Sequence, residues 1–150
     1  MLTVEVNENS IRELYKNGSE EAKTALRIAF NWKVLVPIQE RVTSYEYACY
    51  ELGYSTKTPE IPGTPSFIAY YKLSIIAKAL NEGWIPQIGK ENQWFPVFNC
   101  LSDGTWEFEI CKSIAHFDMS PASLALKNQE LCDYFGSNFK DLWKAYLLEI

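Results

Sequence analysis

Apolar residues along this chain keep a helical spacing up to about residue 90 and then switch to a two-residue alternation. In the first part, Ala22, Ala25, Leu26, Ala29 and Phe30 recur at i, i+3, i+4, i+7 and i+8, the stripe of an amphipathic helix. Ser19 precedes it as a cap, and Glu20 and Glu21 sit in the first turn, where the helix dipole favours negative charge. Upstream, Ser10 and Glu13 have capping-box spacing before Ile11, Leu14 and Tyr15, and Gly18 closes that segment. The stretch WKVLVPIQE is predicted extended, because Pro37 disfavours helix in the residue before it. Thr43 and Glu46 form a second capping box, with Val42 and Tyr47 as its hydrophobic staple, and this third helix should stop at Gly53. After the Pro- and Gly-bearing loop YSTKTPEIPGTP, Thr64 and Pro65 open a central helix. There Ala69, Leu73, Ile76 and Leu80 trace one stripe flanked by Ile68, Ile75 and Ala79, which leaves mainly Lys72, Ser74 and Lys78 for solvent. An apolar arc that wide implies burial between two neighbours.

The alternation is clearest in TWEFEIC, residues 105–111, where Trp106, Phe108 and Ile110 take one side and Glu107 and Glu109 the other. Asp103-Gly104 is a strong hairpin signal. A two-residue turn there pairs Leu101 with Trp106, Asn99 with Phe108 and Val97 with Ile110. Pro96 places the partner strand WFPVFNCL at a sheet edge, or marks where the strand begins. SIAHF and SLAL are candidates for a third and fourth strand. Asn128 caps a last helix with Leu131, Phe135, Asn138, Leu142 and Tyr146 on one face, widened by Cys132, Phe139, Trp143 and Leu147. Only Gly136 interrupts it, at about 1 kcal/mol relative to alanine. The fold class expected is α+β: about five helices packed on one face of a small antiparallel sheet of three to four strands with a central β-hairpin. Residues 1–150 are read as a single domain, with a helical part over 1–55 and the helix, sheet and C-terminal helix over 64–150.

Composition narrows the function classes. Hydrophobic residues make up 47% and aromatics 15% of the 150 residues, ample for a packed core and unlike a disordered chain. No apolar run approaches the roughly 18 residues of a membrane span. The start MLTVEVNENS lacks the positive flank and apolar stretch of a secretory signal, so a cytoplasmic location is the default expectation. Cys49, Cys100, Cys111 and Cys132 show no short metal or redox spacing and are expected to be structural free thiols. The net charge of −5 disfavours a general nucleic-acid binder, since phosphate backbones attract clustered cations. No phosphate-cradling glycine loop, nucleophile elbow, metalloprotease helix motif or sustained heptad is present, and no cofactor is implied. Lys72, Lys78, Lys140 and Lys144 read as solvated helix exteriors.

The segment NEGWIPQIGKENQWFPVF concentrates aromatic residues. On the two-residue-turn register, Phe95, Val97 and Leu101 join Trp106, Phe108 and Ile110 on the core face. Trp94, Pro96, Phe98 and Cys100 then fall outward with Glu107 and Glu109. Trp94, Phe98, Glu107 and Glu109 are therefore the candidate contact surface. His116, the single histidine, and Asp118 could form an acid–base pair, although no nucleophile motif accompanies them. Glu107 and Glu109 would lie ~6.5–7 Å apart on one strand face, near the carboxylate spacing of inverting glycosidases. A solvated sheet face shows the same pattern and is the preferred reading.

The runs YYKLSIIAKALNEGWIPQI, NQWFPVF and LALKNQELCDYFGSNFKDLWKAYLL carry a resemblance to a family of uncharacterised proteins encoded by Bacteroides-type phages and prophages. Its pattern is a helix ending in ALNEGWxP, an aromatic W-F stretch, a short sheet and a terminal KxxELxxYFGxxFxDLWK segment. IRELYKNGSEEAKTAL and ERVTSYEYACYELG resemble its amino-terminal part. Ser123 stands where the family tends to carry arginine, after Pro121 and Ala122. Ile88 stands where a second tryptophan or an aspartate–tryptophan pair is usual. The resemblance implies a mobile-element origin and an intracellular life in the infected cell, and it adds no catalytic residue. The leading expectation is a non-enzymatic accessory protein acting through a protein partner or self-association. The alternatives are a single-stranded nucleic-acid binder stacking bases on Trp94, Phe98 or Trp106, and a small hydrolase using His116 or the two glutamates.

Overall fold

The computed structural model describes residues 7–58, 64–87, 90–114 and 122–148. The chain divides into two compact units, residues 1–41 and 42–150. The division therefore falls at Arg41/Val42, ahead of the Pro-rich loop at which the sequence suggests a change of subregion.

In the first unit, α1 (Glu8–Asn17) and α2 (Glu20–Ala29) are joined at Gly18. Asn7 caps α1 through the Asn9 amide at 2.9 Å, so the helix starts a turn earlier than Ser10 suggests. Ser19 caps α2 as expected. The stretch expected to be extended instead holds two one-turn helices, α3 (Trp32–Leu35) and α4 (Ile38–Arg41). Pro37 acts on one residue only: Val36, just before it, is extended at φ −118° and ψ 121°. Asn31 caps α3, and the helix resumes beyond the proline. Ile11, Leu35 and Val36 form the unit's core, with Tyr15, Leu26, Phe30 and Val34 packed against them.

The second unit is built on α6 (Pro65–Leu80), whose Ala69, Leu73, Ile76 and Leu80 are buried. It lies between α5 (Tyr45–Leu52) and α8 (Lys140–Leu148). Ser44, one residue after the expected Thr43, caps α5 and also donates to Glu46 at 2.8 Å. That bond holds the Glu46 carboxyl below its ordinary range. Tyr47, the expected staple partner of buried Val42, is 54% exposed and its ring meets Tyr50 edge-on. α7 (Gln129–Asn138) starts at the Asn128 cap, as expected. The expected single last helix breaks at Phe139, whose backbone leaves the helical region at φ −117° and ψ 31°. Its buried ring packs on Tyr134 and Phe135 there, and α8 then runs beside α6. The Ser66 hydroxyl bonds the Tyr146 carbonyl at 2.8 Å across that contact.

Among the described residues the sheet is a single antiparallel hairpin, β1 (Gln93–Cys100) and β2 (Trp106–Ile114). SLAL is not a strand. Ala122–Leu124 form a 3-10 turn, and Leu126 makes one isolated bridge with Trp94. The buried Asn81 side chain holds this segment, donating to the Ala125 carbonyl at 2.7 Å and accepting the Lys127 amide at 3.0 Å. Most of SIAHF lies outside the described residues. Among the described residues there are eight α-helices and two strands, which overturns the expectation of about five helices and three to four strands. The excess helices come from the pieces flanking Pro37 and from the break at Phe139. No helix among the described residues is long and apolar enough to cross a membrane.

Two cysteines also depart from expectation. Cys111 on β2 and Cys132 on α7 form a disulfide, while buried Cys49 and exposed Cys100 are free. Their separation of 21 residues carries no motif; packing of helix on hairpin brings them together. The cysteines therefore no longer argue for a reducing compartment.

Candidate functional site

The hairpin positions every described residue of the expected contact surface, so its register decides what each can do. Val97 pairs with Ile110 as expected, and the same register continues through Pro96–Cys111, Phe95–Lys112 and Trp94–Ser113. Toward the turn it slips by one, to Phe98–Phe108, Asn99–Glu107 and Cys100–Trp106, across a bulge between Val97 and Phe98. The cause is the loop. Residues 101–105 form a five-residue connection closed by the Leu101 amide on the Thr105 carbonyl at 2.9 Å. Within it the Asp103 carboxylate accepts the Thr105 amide at 2.8 Å, and hydrogen bonding from the Thr105 side chain, then from its backbone, holds that carboxyl below its usual range. Gly104 supplies the left-handed backbone at φ 83°. The bulge takes up the extra residue.

One slipped residue exchanges the faces. Phe98 does not point away from the core. It stacks on Trp106 with centroids 4.9 Å apart and an interplanar angle of 9°, and its ring lies 5.4 Å from that of Trp143 on α8. Pro96 and Phe108 lie under Gly136 of α7. The face carrying Pro96, Phe98, Trp106, Phe108 and Cys111 is thus the one under the helices. Phe95, Val97, Ile110 and Lys112 share the other face, with Asn99 and Glu107. Ile110 is 46% exposed there, against the expectation of a core position. Glu107 and Glu109 are exposed, and neither lines either cavity described below. His116 and Asp118 lie outside the described residues, as does Ile88. Ser123 is exposed and bonds the Tyr70 hydroxyl at 2.6 Å.

Trp94, half-buried at the far end of β1, borders an open depression of about 600 Å³ with Trp84, Lys90, Glu91 and Lys127. The turn after α6 brings Trp84 here: Glu82 and Gly83 both take positive φ, at 48° and 88°. The Trp84 indole N–H donates to Glu91 at 2.7 Å, and Lys127 pairs with Glu82 at 3.6 Å. Two aromatic rings beside two ammonium groups can stack a flat ring and hold an anion. Among the described residues no group of three or more His, Cys, Asp or Glu side chains is placed to hold a metal. Sequence reasoning missed a second cavity, of about 550 Å³ in the first unit, lined by Arg12, Lys16, Lys23 and Arg27. The signal for it was present: all three arginines fall within residues 12–41. No family model, curated protein or solved structure matches the chain.

Proposed function

We propose that this chain is a non-enzymatic accessory protein that self-associates through the outer face of its hairpin. The observation that carries the reading is that, among the described residues, α7 and α8 pack on one face of the sheet, while the opposite face carries half-buried Phe95 and Val97 and partly exposed Ile110. Apolar side chains left accessible on a sheet face favour association with another surface. The polar ends of that face favour a second copy. Glu107 lies toward the turn and Lys112 toward the far end, with the apolar residues between them. A two-fold contact sets the carboxylate of each copy against the ammonium of the other, the self-complementarity that an isologous dimer requires. The resemblance to phage and prophage proteins supports an accessory role inside an infected cell. Light scattering across a concentration series tests the reading. Mass should rise toward a dimer in the native chain and stay monomeric in Ile110→Glu. A native chain that remains monomeric throughout refutes it.

A second reading, single-stranded nucleic-acid binding, is favoured by the Trp84–Trp94 depression with Lys90 and Lys127. Phe98 and Trp106 already stack on each other, so Trp94 is the base platform that remains from the original three. Oligonucleotide addition at low salt should quench tryptophan fluorescence and lose that effect as salt rises. Unchanged fluorescence at low salt eliminates this reading.

A further inference from the structure

The cavity between α1 and α2 is cationic in a chain whose net charge is −5. Arg12 and Lys16 are four residues apart on α1, and Lys23 and Arg27 are four apart on α2, so each helix turns two like charges to the same side. Like charges at that spacing weaken a helix, and here both pairs line one cavity of about 550 Å³. Two carboxylates, Glu13 and Glu40, share the lining, leaving an excess of two positive charges. We propose that this cavity binds a small phosphate-bearing anion. Phosphate monoesters carry close to two negative charges at neutral pH, and the volume falls within the range of small-molecule sites.

The guanidinium groups are held in place before any ligand arrives. Arg27 donates from Nε to the Tyr15 hydroxyl at 2.9 Å, and its guanidinium carbon lies 5.4 Å over the Tyr15 ring. Arg12 donates from Nε to the Val34 carbonyl at 2.9 Å and from Nη2 to Glu8 at 3.3 Å. Each bond uses part of a planar fork with five N–H groups and orients the remainder. Lys23 pairs with Glu20 at 3.2 Å. Neither Glu8 nor Glu20 is part of the cavity lining. The concentration of arginine in this unit fits the same chemistry, because its fork matches phosphate oxygens in pairs. This inference does not depend on how the hairpin associates.

Titration of the full chain with inorganic pyrophosphate at low salt, followed by amide NMR, tests it. Saturable one-to-one binding should shift amides of α1 and α2. Lys16→Gln and Arg27→Gln should each weaken binding about tenfold or more, while Lys57→Gln, which removes the same charge elsewhere, leaves it unchanged. Should Arg27→Gln disturb the fold through the loss of the Tyr15 contact, Lys16→Gln still decides the matter, since no partner of Lys16 is found among the described residues. Absence of saturation overturns the proposal, as does equal weakening by all three substitutions. A single-stranded oligonucleotide that binds the same cations more tightly than pyrophosphate overturns the assignment to a small anion.

Discussion

Gly136 sits inside α7, where helix propensity alone favours alanine by about 1 kcal/mol. The packing reverses that preference. A Cβ built on Gly136 would meet Cε2 and Cδ2 of Phe108, the latter at 2.5 Å, and Cβ of Pro96 at 3.0 Å. Neither neighbour yields easily: Phe108 is wedged edge-on against Phe98, and Pro96 is a rigid ring within β1. Nor can α7 lift away, because the disulfide from Cys132, one turn earlier, ties it to Cys111 of β2. Inserting a methyl into such a contact costs about 1–3 kcal/mol, so Gly136→Ala should destabilise the second unit by about 1–2 kcal/mol net. Urea unfolding followed by tryptophan fluorescence measures this, since Trp84, Trp94, Trp106 and Trp143 all lie within residues 42–150. The decisive comparison uses Phe108→Ala as background. With the ring removed, only the tight contact with Pro96 at 3.0 Å remains, and the cost of the same glycine substitution should fall by about 1 kcal/mol or more. If Gly136→Ala stabilises the native chain, or if its cost is the same in both backgrounds, the close seating of α7 on the hairpin is refuted.

Three further outcomes follow from the same geometry. Asn81→Asp removes the donor to the Ala125 carbonyl inside the core and should lower unfolding free energy by about 2 kcal/mol or more, read from the urea midpoint; an unchanged midpoint contradicts the clamp. Thiol titration of the unreduced chain in denaturant should count two reactive thiols among four cysteines, with Cys100 reacting first in the native state and Cys49 only on unfolding. Burial pushes the Tyr45 and Tyr134 phenols above their ordinary value of 10.0. Folding therefore favours their neutral forms, and stability should hold below about pH 10 and fall as pH rises beyond it, as measured by unfolding midpoints at pH 8 to 11. Tyr134→Phe should reduce that fall.

Local signals proved readable where the chemistry is local. The period of Ala69, Leu73, Ile76 and Leu80 located α6 and its two neighbours, and the alternation in TWEFEIC located β2. Val97 and Ile110 were paired correctly. The faces were not, because Asp103-Gly104 fits a two-residue turn as well as the middle of a longer loop. The added residue reappears as a bulge five positions away, beyond what turn chemistry reveals. The helix break at Phe139 leaves the apolar period unbroken, since Leu131, Phe135 and Trp143 all stay buried on either side of it. The disulfide is a tertiary event: it joins residues of separate elements, and nothing in their spacing along the chain announces it. The cationic cavity was announced only in part, by the clustering of all three arginines within residues 12–41, because it forms only when α1 and α2 are brought side by side.

The claim on which the proposed self-association depends is that the face of Val97 and Ile110 is accessible in the single chain and covered in a dimer. A soluble paramagnetic agent, applied across a concentration series with methyl NMR detection, reads this directly, with the buried methyls of Leu73 and Leu126 as internal references. The Ile110 methyl signals should broaden strongly in dilute solution and become protected as concentration rises, while the references stay sharp. Ile110 protected at every dilution, or equally broadened at every concentration, would contradict the account.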